Sequence, residues 1–293
     1  MKKIFLLFIF LGLFNSFLCA KTLQPSENLN LPLISVSIAP QAFFVKKIAG
    51  DTLNINILST NTHKPKSKSN SMKKLEKSEL YFTIGLDFEK NLTDRLKQKF
   101  PKIEIIDMQE NISLAKASSS DSEEILDPFT WLDPILVQNI ALNTYNALVQ
   151  KYPQNKSLYK HNLDKFLTEL DVLNLQISSK LQKVKNKEFI TYHPAWSYFS
   201  KRYNLVQNYE AALEKKLKNE DLKNLGKLIK EKNIKVVFVQ TRFPEKTAKT
   251  LEKEYNVKIY KIDYLSYDWE NELLKTANAF HEKFIIRFFN AFF

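Results

Sequence analysis

Phe189-Ile190-Thr191-Tyr192-His193-Pro194-Ala195-Trp196 is the stretch from which the rest of the chain is read. Phe189 to Thr191 is a short apolar run with strand character. A helix-like segment, Ser197 to Arg202, follows it. Proline ends a β-ladder and is tolerated at the first helical position, so Pro194 fits a strand-to-helix turn. A strand that ends in histidine-proline presents an imidazole at the carboxyl edge of a sheet, where open α/β sheets bind their ligands. Neutral imidazole is the commonest protein metal ligand. His193 is therefore a candidate ligand.

Downstream, strand-like and helix-like segments alternate. Leu205 to Tyr209 reads as a strand and Asp221 to Lys232 as a helix. Val236-Val237-Phe238-Val239 reads as a buried strand and Glu245 to Glu254 as a helix. Val257 to Ile262 is a strand that delivers Asp263, and a last helix runs from about Asp268 towards Phe284. Upstream, Pro153 opens a long helical pattern reaching Val184, with Tyr159, Phe166 and Leu170 on one stripe. A helix of about 30 residues would be about 45 Å long, more than one small domain needs. It reads as a strut between two lobes.

Before the strut the alternation appears again. Strands are expected at Ile34 to Ile38, Leu53 to Leu58, Leu80 to Ile84 and Ile103 to Ile106. Helices are expected at Gln41 to Ile48, Ser71 to Lys77, Phe88 to Lys97 and Ile135 to Lys151. The predicted fold class is α/β: two lobes of mostly parallel sheet flanked by helices, joined by one long rigid helix. The expected organisation is a signal peptide at 1–20, a leader at 21–31 and a first lobe at 32–152. A connecting helix at 153–186, a second lobe at 187–284 and a tail at 285–293 complete it.

The signal reading rests on Met1-Lys2-Lys3, an apolar run from Ile4 to Leu18, and Ala20 as the small residue before a cut. That run is short for a membrane span, which needs about 20 residues. Cys19 is the only cysteine, so a chain cut after Ala20 has neither a disulfide nor a thiolate metal site. An exported chain of this kind is expected to be periplasmic. The net charge is +12. The lysines are interleaved with Asn, Glu and Leu at helical spacing, which describes solvated helix faces rather than a nucleic-acid footprint. Only Gly50, Gly85 and Gly226 follow the signal, and there is no Gly-x-Ser-x-Gly, so phosphate-loop and serine-hydrolase signatures are missing.

Four histidines remain: His63, His161, His193 and His281. His161 sits beside Lys160 and Asn162 on the strut, a solvated face. His281 has no second histidine four residues on and forms no metalloprotease helix. His63, His193 and Asp263 each lie in or next to a loop that follows a strand. If both sheets turn their carboxyl edges to one cleft, the three converge there. Two imidazoles and a carboxylate suit zinc or a similar divalent cation. Three unrelated polar loop residues are the other reading of the same spacing. Trp131 and Trp196 read as aromatics that pack the lobes together.

Several stretches carry a resemblance. They are Ser35-Val36-Ser37-Ile38-Ala39-Pro40, Ile48-Ala49-Gly50-Asp51, Met72 to Lys77, and Phe82-Thr83-Ile84-Gly85-Leu86-Asp87-Phe88-Glu89. Trp131-Leu132-Asp133-Pro134, the Tyr159, Asn162, Phe166, Leu170 stripe, His193 to Phe199 and Lys261-Ile262-Asp263 complete the set. From about Ile34 to Asp268 the sequence resembles the periplasmic metal-binding proteins of zinc and manganese ABC importers, the cluster A-I solute-binding proteins. The resemblance implies two lobes on a stiff helix with a metal between them, and little movement between the lobes. It places His63 and His193 at histidine ligand positions and Asp263 at the late carboxylate ligand. Histidine at position 193 marks the zinc type.

One departure stands out. The family's Asp-Pro-His-x-Trp-Leu-Asp-Pro reads Asp127-Pro128-Phe129-Thr130-Trp131-Leu132-Asp133-Pro134, so Phe129 occupies the second histidine's position. Phenyl does not ligate a cation in this way. The loop around His63 carries Lys64 and Lys66, which disfavour a divalent cation. The histidine-rich loop of many zinc members is replaced by Ser118 to Glu124, from which Glu123 or Glu124 could fill a fourth position. The expected function is capture of a divalent ion, zinc first and manganese second, as cargo for an ABC permease at the inner membrane. The chain is expected to be monomeric, not an enzyme and without a nucleic-acid partner. The alternative is a diverged paralogue whose weakened site serves as an interaction module.

Overall fold

The computed structural model describes residues 31–62, 65–66, 69–116, 126–214 and 218–289, apart from the side chains of 211, 214, 219 and 282–289. Strand and helix alternate from the start. The first half runs β1 (Leu33–Val36), α1 (Ala39–Ala49), β2 (Asn54–Ile57), α2 (Asn70–Leu75), β3 (Leu80–Thr83), α3 (Asp87–Lys99) and β4 (Glu104–Asp107). A 3₁₀ turn at Thr130–Leu132 leads into α4 (Pro134–Lys151), and another at Pro153–Asn155 into α5 (Lys156–Leu181). The second half runs β5 (Glu188–Thr191), α6 (Ser197–Tyr203), β6 (Val206–Tyr209), a 3₁₀ turn at Ala211–Glu214, and α7 (Asn219–Glu231). It ends with β7 (Val236–Val239), α8 (Glu245–Tyr255), β8 (Lys258–Lys261) and α9 (Trp269–Phe289).

Each half builds a four-stranded sheet with every neighbouring pair parallel, in the orders β2-β1-β3-β4 and β6-β5-β7-β8. Composition explains the order. Central strands covered on both faces need continuous apolar runs. Leu80-Tyr81-Phe82-Thr83 and Val236-Val237-Phe238-Val239 are buried at every position. The edge strands Glu104-Ile105-Ile106-Asp107 and Val206-Gln207-Asn208-Tyr209 begin and end exposed. In both sheets the first strand lies between the second and the third. The connection after the first strand runs to one side of the sheet and that after the third to the other, which opens a crevice between their carboxyl ends.

A buried carboxylate organises that edge of the first sheet. Glu89 accepts from the backbone N–H of Ile84 (3.0 and 3.1 Å to its two oxygens), from that of Leu86 (2.8 Å) and from the Ser37 hydroxyl. Ser37 Oγ also pairs with Tyr81 Oη at 2.7 Å. Burial pushes the Glu89 carboxyl up to about 7, against the pull of these donors. Gly85, at φ +77°, makes the turn between Ile84 and Leu86, and a Cβ there would lie 2.5 Å from Gln109 Oε1.

The strut is shorter than the sequence pattern at both ends. Pro153 opens a 3₁₀ turn rather than the helix itself, and α5 stops at Leu181 although Val184 is still buried. Its 26 residues span about 39 Å. Tyr159, Leu163, Phe166, Leu170, Leu173, Ile177 and Leu181 form the buried stripe at steps of three and four. The same helix serves both lobes. Asn162 Nδ2 bonds to the Ile48 carbonyl of α1 at 2.9 Å, and Asn174 Oδ1 accepts from the Tyr203 hydroxyl of α6 at 3.0 Å. Lys47 adds a bridge among three helices, with Glu169 of α5 at 2.7 Å and Glu270 of α9 at 3.1 Å. His161 is exposed on α5, as its polar neighbours predict.

One apolar cluster runs through both lobes, from Ile34, Phe44 and Phe82 through Phe166 to Phe189, Phe238 and Trp269. A smaller one, around Leu225, Ile234 and Leu251, belongs to the second lobe alone. Trp269 packs edge-on against Phe44 (5.1 Å), so α9 seals the first lobe's α1. A core shared this way opposes wide hinge opening, because separating the lobes would expose it.

Candidate metal centre

His193 stands at the carboxyl end of β5, beside the point where the second sheet's connections diverge. Tyr192 N–H bonds to the Phe238 carbonyl at 3.2 Å and extends the β5–β7 ladder by one residue. The chain then turns. The His193 carbonyl accepts from Ala195 N–H (2.8 Å) and the Thr191 hydroxyl (3.1 Å). Both bonds use the backbone of His193 and leave its ring to the surroundings.

Those surroundings are aromatic. The Tyr264 ring lies parallel to the imidazole, 3° between planes and 4.9 Å between centroids. Phe129 stands perpendicular to both, 5.3 Å from His193 and 5.7 Å from Tyr264. Trp131 backs Phe129 at 5.1 Å. Phe129 is thus folded in against His193 and only 9% exposed.

Asp127 completes the wall. Its carboxylate accepts from Phe129 N–H at 2.8 Å and from the Ser197 hydroxyl, and its carbonyl accepts from the Tyr198 hydroxyl at 3.0 Å. Burial raises the Asp127 carboxyl from its ordinary value. The bonds from Ser197 and Phe129 and the charge of His193 act the other way.

Asp263 follows β8. Its Oδ1 accepts from Leu265 N–H at 2.9 Å, and its own N–H bonds to Glu272 Oε2 at 3.0 Å. The turn that carries it is pinned from two sides. Trp131 Nε1 donates to the Tyr264 carbonyl (2.9 Å), and the Tyr192 hydroxyl donates to the Ile262 carbonyl (3.3 Å). Asp263 therefore enters the same neighbourhood as His193 through its adjacent residue, Tyr264. Trp131 and Trp196 are fully buried, in keeping with a lobe-packing role.

His63, Lys64, Glu123 and Glu124 lie outside the described residues. Nearby, Leu58 and Ser59 N–H bond to the Val36 and Ser37 carbonyls, so the chain towards His63 departs from the carboxyl edge of the first sheet. Lys66 is exposed. Among the described residues no group of three or more His, Cys, Asp or Glu side chains is close enough to hold a metal ion. Sequence reasoning missed Asp127 and Tyr264. Asp127 opens a motif already quoted and Tyr264 follows Asp263, but neither the charge that Asp127 sets near His193 nor the stacking of Tyr264 on it has a local signature.

The family model described as "Zinc-uptake complex component A periplasmic" matches residues 34–277. The chain belongs to this family. Its members are substrate-binding proteins of ABC importers rather than enzymes. The chain is similar to a manganese ABC transporter substrate-binding lipoprotein of Streptococcus gordonii, 26% identical over 82% of this chain and 81% of that one. The high-affinity zinc uptake system protein ZnuA of Bacillus subtilis is 33% identical over 45% of this chain and 42% of its own. A crystal structure of ZnuA superimposes with a TM-score of 0.75 at 32% identity, covering 86% of this chain and 100% of that one. The α/β two-lobe fold is shared with it. No helix among the described residues is long and apolar enough to cross a membrane.

Proposed function

We propose that this protein captures a divalent metal ion, zinc in the first place, between its lobes and delivers it to an ABC permease at the inner membrane. His63, His193 and Asp263 are the ligands in this reading, the ion is cargo, and a monomer exported by the segment 1–20 carries it. The observation that supports it best is the placement of His193. A half-buried imidazole held at the carboxyl edge of a parallel sheet, with the Asp263 turn fixed beside it, suits a cation site in a chain of this family. Three protein ligands leave one coordination position for water.

The test is calorimetric titration of zinc, and separately manganese, into the mature chain. Binding at micromolar or lower concentration is expected for zinc. His63→Ala, His193→Ala and Asp263→Ala should each weaken it at least tenfold. The absence of heat with any divalent ion would overturn the proposal.

A further inference from the structure

We infer that Tyr264 is a positioning residue for the cargo ion: its ring fixes the plane of the His193 imidazole. The inference rests on the proposed function in taking His193 as a ligand. An imidazole nitrogen offers its lone pair in the plane of the ring, so rotation about the side-chain bonds swings the donor away from the ion. Metal-binding histidines are commonly fixed by a hydrogen bond at the second ring nitrogen. Here the ring faces also carry the restraint. Tyr264 covers one face in near-perfect parallel at 4.9 Å, while Phe129 meets the imidazole at 86° and Tyr264 at 87°.

Against these two rings the imidazole keeps one orientation, because turning it collides with Phe129 or abandons the stack. Tyr264 is itself anchored through its carbonyl to the buried indole of Trp131, whose own carbonyl accepts from Trp269 Nε1 at 2.7 Å. The plane of His193 is thus referred to the joint between the lobes. The restraint on the imidazole is exerted by the face of the Tyr264 ring.

The experiment compares Tyr264→Phe, Tyr264→Ala and the unchanged protein by zinc calorimetry, with proton NMR of the metal-free forms. The His193 ring resonances are assigned with His193→Ala. Stacking on Tyr264 should shift them upfield. The shift should survive in Tyr264→Phe and vanish in Tyr264→Ala. Zinc affinity should stay within about twofold in Tyr264→Phe and fall about ten- to a hundredfold in Tyr264→Ala, the range usual for groups that orient a ligand. A Tyr264→Ala protein that melts as the parent does and binds zinc as tightly would overturn the inference. So would His193 resonances without an upfield shift in the unchanged protein. If the unchanged protein shows that shift yet binds no metal, the proposed function fails, and Tyr264 loses its metal-positioning role with it.

Discussion

Arg202 grips Asp133 across 69 residues of sequence, with Nε 3.0 and 2.9 Å from the two carboxylate oxygens and Nη2 2.8 Å from Oδ2. Asp133 also caps α4 by accepting from Ile135 N–H at 2.9 Å. The pair ties α6 of the second lobe to the start of α4, and the carboxylate is only 5% exposed. Removing the guanidinium leaves that charge buried and underpaired. Arg202→Ala should cost about 2 kcal/mol in urea unfolding, less than a fully buried pair because Arg202 is partly solvated. Arg202→Lys should cost about half as much, since an ammonium keeps the charge and loses the fork.

Gly85→Ala should destabilise the first lobe by about 3 kcal/mol in thermal or urea unfolding. Two causes add: a left-handed backbone at φ +77° and a methyl 2.5 Å from Gln109 Oε1. Gln109 cannot simply yield, because its Nε2 holds the Pro128 carbonyl and Thr130 Oγ1, both at 2.6 Å. Adding Gln109→Ala should recover the steric part and leave the backbone part.

Phe129→His should raise zinc affinity. Zinc–nitrogen bonds of about 2.0 Å at a tetrahedral angle put two ligand imidazole centroids about 5 Å apart. The Phe129 and His193 rings are 5.3 Å apart. The substitution therefore adds a donor where the spacing already suits one. Calorimetry should show at least tenfold tighter binding, and unchanged affinity would mean that the ion lies elsewhere.

Glu89 gives the fold a pH dependence of definite sign. Its carboxyl is raised from 4.5 to about 7, so the folded chain holds a proton that the unfolded chain has released. Stability from this group is complete below pH 4.5, declines as pH rises, and is lost above about 7, by up to about 3 kcal/mol. Asp127 is raised as well and acts in the same direction. Glu89→Gln, always neutral, should be less stable than the parent at low pH because it offers one acceptor oxygen. Its unfolding free energy should lack most of the decline between pH 5 and pH 8.

The alternation of strands and helices was legible because central strands are continuously apolar and edge strands are not. Val236 to Val239 could be read as buried, and is. The ends of α5 were less legible. Val184 keeps the stripe's spacing one turn beyond the last helical residue, so periodicity alone extends the helix. At the site, His193 announced itself through the strand-to-proline turn. Tyr264 did not, because the ring that it covers lies 71 residues away and stacking has no sequence period. Phe129 was visible as a departure from a family pattern, but only the fold brings it to 5.3 Å from the imidazole.

The packing of Trp269 on Phe44 also constrains how the chain acquires its shape. A polypeptide emerging amino end first presents α1 more than 200 residues before the indole that covers it. Until then an aromatic surface of the first half stays wet and adhesive. Contacts of such long sequence separation form late and slowly. Loss of even the final helix would leave the earlier half without its lid, and a truncated product should be prey to proteases and to clumping.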